Sequence, residues 1–235
     1  HMQCLSWPGV AVSEDKNAGA KFAEFIPPDI ANAKKNSIPI LVTMHGSHGL
    51  AEAEIFDWYK HASQKKFAIV AVQWWLKNET YMQPDAVYKS ISIRLNELLK
   101  KYPALKRNNN LLHGFSRGAT YLPAIAYYDK YNNYFNSFLL NSGTYPSDNP
   151  PPYMRPILAS TNATIYSNKH FFAYYGDKDE FLPTPKIAGW EMKKSIEQRG
   201  GKFDLFMTEP EGTHRGLMKN PILVDKVIDA WYQIQ

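Results

Sequence analysis

Short apolar runs alternate along this chain with longer stretches whose apolar residues return every third or fourth position. The first rhythm marks strands and the second marks helices. Ala20–Ile26 alternates as a strand and is stopped by Pro27-Pro28, while Ile38–Met44 and Phe67–Gln73 are near-continuous apolar runs, the pattern of strands buried on both faces. Ala51–Lys66 predicts a helix with Ile55, Trp58, Tyr59 and Ala62 on one stripe, and Pro84–Lys101 a second with Ile91, Leu95, Leu98 and Tyr102 at helical spacing. Leu111–His113 reads as a short strand, Thr120–Tyr128 as a helix, and Phe135–Leu140 and His170–Tyr175 as further strands. Lys186–Gln198 is helical and Phe203–Met207 extended. Asn220-Pro221 offers an N-cap and a first-turn proline to a last helix that turns Val224, Val227, Ile228 and Trp231 inward.

This alternation predicts an α/β fold with a mostly parallel central sheet and helices on both faces. Ligands of such sheets bind at the carboxyl ends of the strands. Neither an internal repeat nor a domain linker is visible, so residues 3–235 read as one domain without a large cap. Two features fit less well. Pro123 falls inside the predicted Thr120–Tyr128 helix and should kink it or start a second one. Residues 142–168 form an irregular stretch with Pro146, Pro150-Pro151-Pro152 and Pro156, which reads as an insertion or a lid.

Composition narrows the class. The chain has 235 residues, 44% of them hydrophobic, enough to bury a sizeable core. No apolar run is long enough to span a membrane. The formal charge of +5 is spread over Lys34-Lys35, Lys65-Lys66, Lys100-Lys101, Arg107 and Lys193-Lys194, and no basic stripe with interleaved aromatics favours nucleic acid. His1-Met2 reads as a cloning scar. Cys4 is the single cysteine, which rules out an internal disulfide. If a signal peptide has been trimmed, Cys4 would suit lipid anchoring of an exported protein, although no lipobox accompanies it.

The chemistry centres on His113-Gly114-Phe115-Ser116-Arg117-Gly118-Ala119, set between a predicted strand and a predicted helix. Gly-x-Ser-x-Gly in that context is the pattern of a nucleophile elbow, where a sharp turn presents a serine hydroxyl. Glycines at both flanks avoid a Cβ that would crowd the turn. The following helix directs its positive end at the serine. Such a serine needs a base and an acid to orient that base. After Ser116 the only histidines are His170 and His214. His214 lies in the loop Glu211–Gly216, flanked by glycines, and is the expected base. The acid is expected after the strand ending at Tyr175, within Gly176-Asp177-Lys178-Asp179-Glu180. Asp177 directly follows Gly176 and suits turn stabilisation, whereas Asp179 lies further round the loop, where it can face the histidine; Glu180 ranks after both. For the oxyanion hole, one donor is the N–H of Arg117 and the other comes from Met44-His45-Gly46-Ser47-His48-Gly49, with Ser47 first and His48 as the alternative. Metal binding by His45, His48 and His113 competes poorly, because their spacing fits no standard site and no fourth ligand is evident. No cofactor or metal is expected.

These segments resemble the α/β-hydrolase superfamily, and more narrowly its compact serine esterases: the phospholipase/carboxylesterase, dienelactone hydrolase-like and feruloyl esterase groups. The matching pieces are Pro39–Gly46, Gly114–Ala119, Asn141-Ser142-Gly143, Gly176-Asp177-Lys178-Asp179 with Pro183, and Gly212-Thr213-His214. The resemblance implies an α/β-hydrolase fold and carboxylic-ester hydrolysis through an acyl-enzyme, with Ser116, His214 and Asp179 as the triad. In those families the second aspartate of the Gly-x-x-Asp stretch supplies the acid, which supports Asp179. Dienelactone hydrolases use a cysteine nucleophile, so Ser116 argues against that activity. Trp74-Trp75 at the end of a predicted strand, with His48, Tyr145, Tyr153 and Trp190, are candidate walls of a substrate pocket. Without a cap, the site should admit a small or polymer-borne ester. The alternatives are a peptidase or thioesterase of the same fold, or an inactive ligand-binding protein.

Overall fold

Strand β3 (Ile40–Met44) shows how the core is divided. Successive side chains of a strand point to opposite faces. Ile40, Val42 and Met44 accordingly enter one apolar cluster and Leu41 the other. Both faces are covered by helices, which is why this strand reads as a near-continuous apolar run rather than an alternating one. The architecture comes from a computed structural model describing residues 6–14, 20–76, 80–145, 148–182 and 184–235. His1-Met2, Cys4, Pro146 and Pro183 lie outside the described residues.

The chain order is β1 (Val10–Glu14), β2 (Lys21–Phe25), β3, α1 (Ala51–Lys65), β4 (Ala68–Gln73), α2 (Pro84–Lys101), β5 (Asn110–Phe115) and α3 (Arg117–Tyr128). It continues with β6 (Phe135–Asn141), α4 (Arg155–Ala159), β7 (His170–Gly176), α5 (Pro185–Glu197), β8 (Lys202–Glu209), α6 (Gly216–Lys219) and α7 (Pro221–Ile234). The strands form one sheet in the order β1-β2-β4-β3-β5-β6-β7-β8. Every pairing from β4 to β8 is parallel, while β1 with β2 and β2 with β4 are antiparallel. The fold is therefore α/β with a mostly parallel sheet, as the alternation predicts.

One face of the sheet carries α2, α3 and α5, through Val87, Ile91, Leu95, Leu122, Ile125, Met192 and Ile196. The other carries α1 and α7, through Ile55, Trp58, Val224, Val227, Ile228 and Trp231. The termini of these helices follow local rules. Lys66 ends α1 in the left-handed conformation at φ 63°, and its N–H bonds to Ala62 O. Asn220 caps α7 by accepting from the Leu223 N–H, with Pro221 in the first turn.

Two expectations change. Pro123 neither breaks nor restarts a helix: α3 runs unbroken through it. Eight residues of this helix, Gly118, Ala119 and the six from Tyr121 to Ala126, are buried, so packing outweighs the single backbone bond that proline removes. The described part of residues 142–168 is not wholly irregular. It contains α4 and buries Tyr145, Met154, Ile157 and Tyr166 in the core, with Tyr166 Oη donating to Pro123 O at 3.0 Å.

Trp231 is fully buried, packs edge-on against Phe67 at 5.6 Å between ring centroids, and donates Nε1–H to Asn109 O at 3.1 Å. Trp231→Ala should cost about 3–5 kcal/mol of unfolding free energy, from the lost apolar burial and the cavity left behind. Urea unfolding at unchanged m-value checks this, and a loss below about 1 kcal/mol would show that α7 is only loosely fixed to the sheet.

Candidate active site

Strand β5 ends at Phe115, and the chain turns into α3 at Ser116 with φ 53° and ψ −119°. Few residues other than glycine adopt such a conformation, and it persists only where the surroundings impose it. The surroundings are tight. A Cβ at Gly114 would come within 2.6 Å of the Gly118 backbone, and one at Gly118 within 2.7 Å of Met44 O. Glycine at these two positions is what allows the turn to close against the end of β3. The Ser116 N–H donates to Asn141 O at 2.8 Å, fixing the turn to the end of β6 as well.

His214 lies in the loop between β8 and α6 and is buried. Its Nε2 is 2.8 Å from Ser116 Oγ, and its Nδ1 is 2.7 Å from Asp179 Oδ2. Asp179 is buried too, and its other oxygen accepts the Phe181 and Leu182 N–H groups at 2.9 and 3.1 Å. The carboxylate is thus held by two backbone donors while it faces the imidazole. Asp177 and Glu180 are exposed; Glu180 accepts the His214 backbone N–H at 3.3 Å. His170, the other downstream histidine, pairs with Asp204 at 2.7 Å at the opposite ends of β7 and β8.

After β3, Gly49 N–H closes a turn onto Gly46 O at 3.1 Å, with His48 at φ 56°. Ser47 is exposed at its tip, and its hydroxyl accepts from Arg117 Nε at 3.1 Å, so the two loops touch beside Ser116. The Arg117 N–H belongs to the first residue of α3 and lacks an intrahelical acceptor. His45 is buried beneath the loop. It donates Nδ1–H to Gly46 O at 2.7 Å, and burial lowers its pKa to about 4, so it is neutral.

No protein-family model matches the sequence, and no curated protein does either. Solved structures do match. An esterase of the fungus Rhizomucor miehei aligns with a TM-score of 0.70 at 14% identity, covering 96% of this chain and 82% of its own. Est1E from Butyrivibrio proteoclasticus aligns with a TM-score of 0.63 at 14% identity, covering 96% of this chain and 98% of its own. A carboxylesterase from Bacillus cereus gives 0.62 at 16% identity, with 100% and 99% covered. The chain has the α/β-hydrolase fold. Its described residues include no cap domain and no helix long and apolar enough to cross a membrane.

In this α/β-hydrolase fold an open cleft of about 440 Å³ holds Ser116, His214, Ser47 and Arg117 together. Of the aromatics expected around it, Tyr145 and Tyr153 line it. Trp74 does not: it is fully buried, donates Nε1–H to His45 O at 3.0 Å, and supports the loop from below. Trp75 lines a separate apolar groove with Leu50 and Leu76, and His48 packs edge-on against its ring at 4.8 Å. Trp190 packs on Phe206, away from the cleft. The sequence reading missed Thr120 and Tyr121, one turn into α3, and Phe181 and Leu182, which follow Asp179. Their positions beside Ser116 and Asp179 in sequence were the available signal. Phe181 is 70% exposed and lies against the His214 ring at 4.9 Å, forming part of the rim.

Beneath the turn lies a buried polar chain. Asn141 Nδ2 is 3.2 Å from His113 Nε2, His113 Nδ1 is 2.8 Å from Thr43 Oγ1, and Thr43 Oγ1 is 2.7 Å from Glu54 Oε2. Burial lowers the His113 pKa to about 3, so the ring is neutral. Asn141 donates to Nε2, which places the ring proton on Nδ1; that proton goes to Thr43, and the Thr43 hydroxyl donates to Glu54. Both nitrogens of His113 are thereby engaged within the core, away from His48, and the described residues bring no three metal-ligating side chains together.

Burial raises the Glu54 pKa from 4.5 to about 7, against the opposing Thr43 hydrogen bond. Glu54 therefore binds its proton more tightly in the folded than in the unfolded chain. The associated stabilisation is complete below pH 4.5, declines as pH rises, and is lost above about pH 7. Glu54→Gln, which mimics the protonated form, should be more stable than wild type at pH 8 by on the order of 3 kcal/mol. Thermal melts should show this gain shrinking to nothing near pH 4.5. A difference independent of pH would contradict the assignment.

Proposed function

We propose that the protein hydrolyses carboxylic esters through an acyl-enzyme formed on Ser116. The observation that carries this reading is the continuous hydrogen-bonded chain Ser116–His214–Asp179, with 2.8 and 2.7 Å links, at a positive-φ turn opening on a cleft. The named esterases that share the fold lend support to ester chemistry over other reactions this fold can host. Residues 3–235 act in this reading as one catalytic domain.

Ser116 Oγ attacks the ester carbonyl carbon as its proton passes to His214 Nε2. The Asp179 carboxylate holds the opposite ring nitrogen and stabilises the imidazolium. Charge collects on the former carbonyl oxygen, where the N–H groups of Arg117 and Ser47 donate to it, with the N-terminal end of α3 adding a favourable field. His214 returns the proton to the departing alkoxide oxygen, the C–O bond breaks, and the alcohol leaves. Water then attacks the acyl-enzyme with His214 as base, the acid departs, and Ser116 regains its proton. The bonds from Phe181 and Leu182 keep the Asp179 carboxylate from turning away from the ring.

Ser116→Ala should lower kcat/KM on p-nitrophenyl esters by about 10⁴–10⁶-fold in a protein that melts like wild type. Asp179→Asn should cost about 10²–10⁴-fold, and Asp177→Asn much less, because Asp177 lies outside the hydrogen-bonded chain. A Ser116→Ala protein retaining a tenth of wild-type activity would refute the nucleophile, and greater damage from Asp177→Asn would reverse the two aspartates. A series running through thioesters and peptides in the same assay separates the esterase from a thioesterase or peptidase.

A further inference from the structure

The side chain of Arg117 is not needed for the chemistry above, which uses only its N–H. Yet it is held in a defined place. Nε donates to Ser47 Oγ at 3.1 Å, and the guanidinium carbon sits 4.3 Å from the centre of the Tyr81 ring. Tyr81 is itself fixed, by an isolated antiparallel bridge to Trp75 and by packing on Trp74 at 5.0 Å. Two other arginines pair with carboxylates, Arg94 with Glu24 and Arg215 with Asp57. Among the described residues Arg117 has a hydroxyl and an aromatic ring as partners, and no carboxylate. It is exposed on the wall of the cleft that contains Ser116.

Its field reaches across that cleft. Burial pushes the Tyr121 and Tyr153 phenols up, and the Arg117 charge acts against burial at both. The surrounding wall also carries the Tyr153 hydroxyl, 3.3 Å from Thr120 Oγ1, while the Thr120 and Ser142 hydroxyls donate to Arg117 O and Asn141 Oδ1. Among the described residues the terminal amino groups of Arg117 have no hydrogen-bond partner, and a guanidinium so placed is a planar fork that matches two oxygens of a carboxylate. An exposed arginine usually gains little from an ion pair, because it loses side-chain freedom and is screened by water. Here the stacking on Tyr81 and the bond to Ser47 have already restricted that freedom, and a substrate occupying the cleft excludes part of the water.

We infer that Arg117 is an anion subsite of the catalytic cleft, and that the favoured substrates are esters carrying a carboxylate a few bonds from the scissile carbonyl. The inference rests on the hydrolase reading and adds the substrate class. The net charge of +5 works in the same direction, drawing anionic substrates toward the protein. Phe181 and Leu182, on the His214 side of the cleft, are apolar and leave the ionic recognition to the Arg117 side.

Two sets of esters test it and distinguish the side on which the carboxylate is carried. The acyl set compares mono-p-nitrophenyl succinate, glutarate and adipate with the corresponding monoamides. The alcohol set compares 4-acetoxybenzoate with 4-acetoxybenzamide. In one set at least, wild type should favour the anionic ester in kcat/KM by roughly 5–50-fold, toward the lower end of what a charge-assisted hydrogen bond supplies because the cleft is open to water. The ratio should fall close to one in Arg117→Gln, survive in part in Arg117→Lys, and shrink in wild type as salt is raised. Both variants keep the backbone N–H. Should neither variant fold, the salt dependence of the wild-type ratio decides. Turnover with ratios at or below one in both sets overturns the anion subsite alone, as does a ratio that Arg117→Gln or salt leaves unchanged. A chain that hydrolyses no ester and takes no serine-directed phosphonate overturns the hydrolase reading and this inference with it.

Discussion

Ser116 is held at φ 53°, and much of the site depends on that one backbone conformation. It is imposed by close approach of three chain segments. Gly118 lies against the carbonyl at the end of β3, Gly114 lies against Gly118, and the Ser116 N–H is tied to the end of β6. Parallel strands bring these segments to one edge of the sheet, and only small residues allow them to approach so closely. The same approach sets Ser47 beside Arg117, the first residue of α3. Relaxing the turn would move the serine hydroxyl, the neighbouring N–H groups and the contact with His214 together.

The layer below the turn is polar where apolar packing would be simpler. Asn141, His113, Thr43 and Glu54 join the ends of β6, β5 and β3 to α1 through directed hydrogen bonds, each group with a defined donor or acceptor role. A fully satisfied buried network costs desolvation but permits few alternative arrangements. Here it sits under the strand ends that carry the candidate site, with a glutamate whose raised pKa records the cost. The upper layer shows the complementary logic: Trp74 is spent on supporting the loop after β3, while the cleft itself is lined by hydroxyls and tyrosines.

The parts legible from sequence are those where one physical demand dominates. Ile38–Met44 and Phe67–Gln73 are near-continuous apolar runs because their strands are buried on both faces, and α1, α2 and α7 carry clear stripes. Strand β1 is different: Val10–Glu14 is an edge strand with no fully buried residue, so burial leaves little trace in its sequence. Gly-x-Ser-x-Gly marks a turn because a tight turn needs glycine, and the expected chain order of serine, acid and histidine points to the loops of Asp179 and His214, which the fold brings beside Ser116. The cleft walls could not be assigned in the same way. Trp74 and Trp75 are adjacent and chemically alike, yet one is core and the other lines a different groove; only the three-dimensional path after β4 separates them. The role of Tyr81 beneath Arg117 depends on a bridge to Trp75 that no local pattern announces.

The central claim is that Ser116 is the activated nucleophile of a serine hydrolase. The most direct test is mass spectrometry of the protein after reaction with a serine-directed fluorophosphonate, followed by peptide mapping. The account predicts one adduct per chain, on the peptide containing Ser116, with labelling lost in Ser116→Ala and strongly slowed in His214→Ala. An unlabelled protein, or an adduct that maps to another residue and persists in Ser116→Ala, would contradict it.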